Sequence, residues 1–124
     1  MNERQPLAER THRFKAPVPV IARALAEDRA KWLLLEPGEV LPDLVEADTH
    51  RIAWSSLWSV SPDDTIEFEL TRYGAGTAMH FRWLTDSPPD QPGIALTRQR
   101  LHRKLASDLR GWLADDEAWR DIAT

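Results

Sequence analysis

The sequence predicts an α+β domain in which a curved antiparallel sheet wraps one long C-terminal helix. Three observations predict it. Residues 51–60, 65–73 and 77–85 alternate apolar and polar side chains at period two, as strands with one buried face do. Gly74-Ala75-Gly76, between the last two, offers the positive-φ positions of a tight hairpin. Ile94, Leu101, Leu105, Leu109, Trp112 and Leu113 then fall on one stripe of a helix over residues 93–114. Strands followed by one long helix give a sheet layered on a helix rather than an alternating parallel sheet.

The elements follow in order. Residues 1–9 read as a polar tail, 10–114 as one folded domain and 115–124 as an acidic tail that turns back through Trp119. Arg10 to Lys15 forms a first strand, which Ala16-Pro17 ends because the residue before proline avoids helical geometry. Pro19 suits a first helical turn, and Val18, Ile21, Ala22 and Leu25 follow on one helical face. A short second helix covers Arg29 to Leu35 and stops at Pro37-Gly38. Val40 to Asp48, interrupted at Pro42, reads as an extended edge segment. In the strand over 51–60, Ile52, Trp54, Trp58 and Val60 share one side, with Ser55, Leu57 and Ser59 on the other. Ser61 to Asp64 is a turn whose Asp63 and Asp64 read as solvated charges. In the hairpin, Ile66, Phe68 and Leu70 must face the same way as Met79, Phe81 and Trp83. A two-residue loop at Gly74-Ala75 meets this and sets Glu67 opposite Arg82 and Glu69 opposite His80, two favourable pairs. A loop at Ala75-Gly76 would instead set Glu69 opposite Arg82. Residues 86–92 form a proline-rich connection to the long helix, on which Arg98, Arg100, Arg103, Lys104 and Arg110 lie mostly off the apolar stripe.

Composition narrows the function classes. The chain of 124 residues carries a net charge of −4 and no cysteine. Thiolate chemistry and cysteine-bound zinc are excluded, and an acidic balance disfavours nucleic acid as a partner. The longest unbroken apolar run, Trp32 to Leu35, is far short of the ~20 residues of a membrane helix. Met1 to Arg10 has no apolar core of a secretory signal, so a cytoplasmic protein is expected. No phosphate loop, dinucleotide fingerprint, nucleophile elbow or metal-ligand spacing occurs, so no cofactor or metal is expected. His12, His50, His80 and His102 sit on different elements. Ser55, Ser56 and Ser59 have no positioned base in the sequence and serve as strand residues, with Ser56 leaving room beside Trp54 and Trp58.

The strand and corner His12-Arg13-Phe14-Lys15-Ala16-Pro17, the pattern Ile66 to Leu70 with Gly76-Thr77 and Met79-His80-Phe81, and the amphipathic stretch Ile94 to Leu113 occur in that order. Together they resemble the START-like, helix-grip superfamily (SRPBCC), which includes polyketide cyclase/dehydrase-like proteins and chaperone-ATPase-activator homologues. The resemblance implies that a small hydrophobic or aromatic molecule binds in a cavity between sheet and C-terminal helix. Trp54, Trp58, Phe68, Phe81, Trp83 and Leu105 are then the expected lining, with Arg72 as the polar anchor at its mouth. Six tryptophans also suit a small core that fills itself with bulky rings, and rings in a core and in a pocket look alike in sequence. Two other readings follow from the same resemblance. One is a polyketide cyclase- or dehydratase-like enzyme, for which the inward faces supply almost no acid or base. The other is a protein-interaction module with a filled core and an apolar patch near Leu33, Leu34 and Leu35. A homodimer through an unpaired edge at Val40 to Asp48 is a further expectation.

Overall fold

The structure is a computed structural model that describes residues 5–86 and 94–115. Five strands form one open, curved antiparallel sheet in the order β1-β5-β4-β3-β2: β1 is Gln5–Phe14, β2 Leu44–Ala47, β3 Arg51–Ser55, β4 Thr65–Tyr73 and β5 Gly76–Thr85. Helices α1 (Val18–Ala26) and α2 (Arg29–Trp32) follow β1. The C-terminal helix comprises α3 (Ile94–Arg103), a π-helical segment (Lys104–Asp108) and α4 (Leu109–Asp115). The expected connection at 87–93 and tail at 116–124, with Trp119, lie outside the described residues.

The hairpin has the register its charges favour. Tyr73 pairs with Gly76 around Gly74-Ala75, Glu67 faces Arg82 and Glu69 faces His80. Gly74 takes φ 59, while among the described residues only glycines have positive φ, the pattern of a type II′ turn. Arg82 Nη2 donates to Glu67 Oε1 at 2.8 Å. The His80 ring turns instead to β1, with Nε2 2.7 Å from Glu9 Oε2.

β1 begins at Gln5 rather than Arg10 and pairs with β5 along its length. Its end explains two residues of the sequence. A Cβ on Gly76 would lie 2.0 Å from the Phe14 carbonyl oxygen, so only glycine lets the two backbones approach. The next residue, Thr77, donates from Oγ1 to Ala16 O at 2.8 Å and fastens the Ala-Pro corner.

Helix α1 leaves four terminal carbonyls without intrahelical partners, as any helix does. Here each finds a donor: Arg23 O takes the Glu27 and Asp28 amides, Ala24 O the Trp32 indole, Leu25 O the Trp54 indole and Ala26 O the Arg29 guanidinium. Two buried indoles thus satisfy their N–H groups and cap a helix in the same contacts.

Three expectations need correction. β3 stops at Ser55 because Ser56 Oγ accepts the Trp58 amide (2.9 Å) and donates to Trp58 O (3.0 Å), a local turn that outcompetes the ladder. The alternation expected over 51–60 therefore breaks. Leu57 is fully buried and Val60 is 89% exposed, the reverse of the expected sides, and the room expected beside Ser56 is taken by its own turn. Asp64 is no solvated turn charge. It is buried and accepts from Trp83 Nε1 (2.9 Å) and Thr85 Oγ1 (2.7 Å). Lys104, expected off the apolar stripe, is also buried.

The π-helical segment accounts for the last point. Leu101, Leu105, Leu109 and Leu113 recur every fourth residue, and all four are buried. At about 100° per residue an α-helix would carry that series about 120° around its axis from first to last. One wide turn, in which the Leu109 amide bonds Lys104 O, absorbs about one residue of that drift and keeps the four leucines on the sheet.

Candidate functional site

The six apolar residues expected to line a cavity are all buried, and the rings among them pack on one another. Trp54 meets Phe68 edge-on with centroids 4.7 Å apart, and Trp58 lies 4.2 Å from Trp83. Leu105 closes on them from the helix and is fully buried. Both tryptophans of the sheet centre are tethered, Trp54 to Leu25 O and Trp83 to Asp64. Arg72 shares the helix-facing side with Leu70, yet it lies past the core. It is exposed, and its Nε donates to Gly74 O at the hairpin tip, 3.2 Å away.

An open groove lies elsewhere, where the β1–α1 corner meets the end of the C-terminal helix. It encloses about 570 Å³. Phe14, Ala16, Leu113 and Ala114 supply apolar wall, Lys15 and Arg110 supply charge, and Arg13 borders it. Arg110 is held in place twice, by donation to Arg13 O at 2.8 Å and by its guanidinium lying 5.1 Å from the Phe14 ring centre. Arg13 in turn lies over the Tyr73 ring at 4.4 Å. Both cations are thereby positioned while making no ion pair among the described residues.

The two flanks of the C-terminal helix differ in charge. On the side facing the loop after α2, Lys104 Nζ lies 3.0 Å from Glu39 Oε1 with both side chains almost wholly buried, and it also donates to Leu34 O. The Glu36 amide donates to the same Glu39 oxygen at 2.8 Å. Arg100 and Arg103 each approach Glu36 to 3.0 Å. On the opposite flank, the β1–β5 register puts Arg10 beside Phe81 and His12 beside Met79, on the helix-facing side of the sheet. The His12 ring stacks on Phe81 at 5.7 Å and 13°, and His102 from the helix stands edge-on 5.3 Å from Phe81 and 6.3 Å from His12. Burial, then the neighbouring His102, Arg10 and Arg110, lower the His12 pKa to about 4. Burial, then Arg10 and Arg98, lower that of His102. Both rings are thus held towards the neutral form. The sequence kept the histidines apart because only tertiary packing joins β1 to the helix. Among the described residues no group of three or more metal-ligating side chains occurs.

Sheet, helix and corner together define a helix-grip fold. The structure is similar to CalU16 from Micromonospora echinospora, with 18% identity, 98% of this chain and 97% of that one covered, and a TM-score of 0.67. It is also similar to the Aha1 dimer from Colwellia psychrerythraea, with 15% identity, 90% and 96% covered, and a TM-score of 0.61. An AHSA1-like protein from Rhizobium etli is similar at 17% identity, 88% and 84% covered, and a TM-score of 0.58. At such identities the likeness is one of fold. No protein-family model matches the chain, and no curated protein does. No helix among the described residues is long and apolar enough to cross a membrane.

Proposed function

We propose that this protein binds a small, largely apolar molecule that carries a negative group, in the groove between the β1–α1 corner and the end of the C-terminal helix. The groove itself carries this reading. Its volume of about 570 Å³ suits a drug-sized ligand, its wall is largely apolar, and Lys15 and Arg110 bring positive charge to it. The site moves from the centre of the sheet, where Trp54, Trp58, Phe68, Phe81, Trp83 and Leu105 pack together, towards the helix end. There those rings act as a rigid floor that fixes β1 and the helix, and the polar anchor becomes Arg110 in place of Arg72. The lack of cysteine agrees with a cytoplasmic setting. A calorimetric titration with fatty acids, flavonoids and aromatic carboxylates tests the groove. Saturable micromolar binding, abolished in Ala114→Trp, is the expected result, because Ala114 is exposed and the new ring occupies the groove without entering the core. A flat response across the panel overturns the reading.

A second reading rests on a separate surface. Leu34, Leu35, Val40, Leu41, Leu44 and Val45 are all exposed, on and before the edge strand β2, whose outer side has no partner strand among the described residues. Leu33, expected with them, is buried instead. Exposed apolar side chains on an open edge suit pairing with a second copy of this chain. Sedimentation equilibrium checks this. A dimer that dissociates in Val45→Lys supports it, and a monomer at high concentration removes it.

A further inference from the structure

The seam between β1 and the C-terminal helix holds positive and imidazole groups with no carboxylate partner among the described residues. Arg10 and His12 come from the strand, and Arg98, His102 and Arg110 from the helix. His12 Nε2, His102 Nδ1 and Arg98 Nε are each shielded from solvent and meet no hydrogen-bond partner among the described residues. A buried polar atom left unpaired costs about 1–3 kcal/mol, so three in one seam call for a common explanation. We propose that the seam is a binding site for the oxyanion group of a small molecule, a carboxylate or a phosphate, held by Arg10 and Arg98 with the His12 and His102 rings as donors.

The chemistry fits from several directions. Guanidinium groups recognise carboxylate and phosphate oxygens through paired N–H donors, and one from each element closes the seam from both sides. A neutral imidazole has one N–H to give and gains a second on protonation. Without an anion, the charged groups facing His12 (Arg10, Arg110 and His102) and those facing His102 (Arg10 and Arg98) all oppose protonation. An oxyanion between them reverses the sign of that field, so binding and proton uptake reinforce each other. The Phe81 ring, stacked against His12, supplies a dry side that strengthens both effects. Seam and groove share Arg110 alone, so each site stands or falls on its own variants.

Ring-proton and ring-carbon NMR of His12 and His102 in the full chain tests this. The probes are inorganic phosphate and benzoate, with sodium chloride at matched ionic strength as the control. Saturable shifts at both rings are expected, together with titration midpoints raised by at least ~1 pH unit and affinity up to about tenfold tighter at acidic than at neutral pH. Preference for phosphate or for benzoate identifies the source of the oxyanion. Arg10→Gln and Arg98→Gln each weaken binding by about tenfold, with the rings still reporting an intact fold. Arg98→Lys keeps the charge, loses the planar fork and weakens binding less, which guards against a glutamine variant that does not fold. An equal response to chloride overturns the proposal. So does unchanged affinity in all three variants.

Discussion

On one flank of the C-terminal helix the cations meet acids: Lys104 has Glu39, and Arg100 and Arg103 share Glu36. On the other flank Arg98, His102 and Arg110 look across to Arg10 and His12, again groups that carry positive charge or acquire it. The same helix, with the same kinds of side chain, therefore does opposite things on its two sides. The loop flank spends its charges internally and ties the segment after α2 to the helix. The seam flank leaves its charges uncompensated among the described residues, and its histidines are held towards the neutral form. Structural pairing and latent binding capacity are distinguished here by where the carboxylates are, not by where the cations are.

The largest test of that contrast breaks the buried pair. Glu39→Gln leaves Lys104 uncompensated in a dry site and costs roughly 3–5 kcal/mol, measured by urea unfolding. The double variant Glu39→Leu with Lys104→Met recovers most of the loss, since an apolar pair of similar volume needs no compensation. The seam gives a smaller, pH-dependent effect. The folded-state pKa of His12, about 4, lies below its ordinary 6.5, so the unfolded chain binds more protons between those values. Stability is fully present above pH 6.5 and falls as pH drops through that window, by about 1–2 kcal/mol once solvent screening of this half-buried ring is allowed for. His12→Gln removes that slope, which thermal unfolding at stepped pH detects. Arg98→Glu makes the seam resemble the loop flank, and the His102 titration followed by NMR then moves upwards. The smallest effect belongs to the exposed partner of Glu36: Arg103→Ala costs about 0.2–1 kcal/mol in the same urea assay and fades in high salt.

Much of the fold was legible because local rules and packing agree. The charge pairs at Glu67 and Arg82 and the two-residue loop at Gly74-Ala75 point to one register, and the sheet has it. The Ala-Pro corner and the Gly-Thr step stand far apart in sequence, yet they touch through Thr77 and Ala16, so each could be read locally as a requirement of one junction. The misreadings have two causes, one local and one long-range. The alternation over 51–60 looked continuous because period two is blind to a serine that folds the chain back on itself. Lys104 looked solvated because its acid, Glu39, arrives from a distant loop. The histidines looked scattered for the same reason. Of the expected site, the burial of its rings was legible. The groove at the helix end and the seam were not, since both are made where β1 meets a helix that no local pattern connects to it.

The order of the sheet has a consequence in time as well as in space. β2 to β5 form a meander in which every strand lies beside its neighbour in sequence, so each pairing closes a short loop. β1, the first described strand, lies beside β5, the last. As the chain leaves the ribosome, β1 is exposed while the strand that will receive it has not yet been made, and the helix that completes the seam comes later still. Pairings of such long range form slowly, because the intervening chain must be ordered before they return anything. His12 and Arg10 therefore meet their partners only after residues 94–115 have been made, so the seam assembles after the meander.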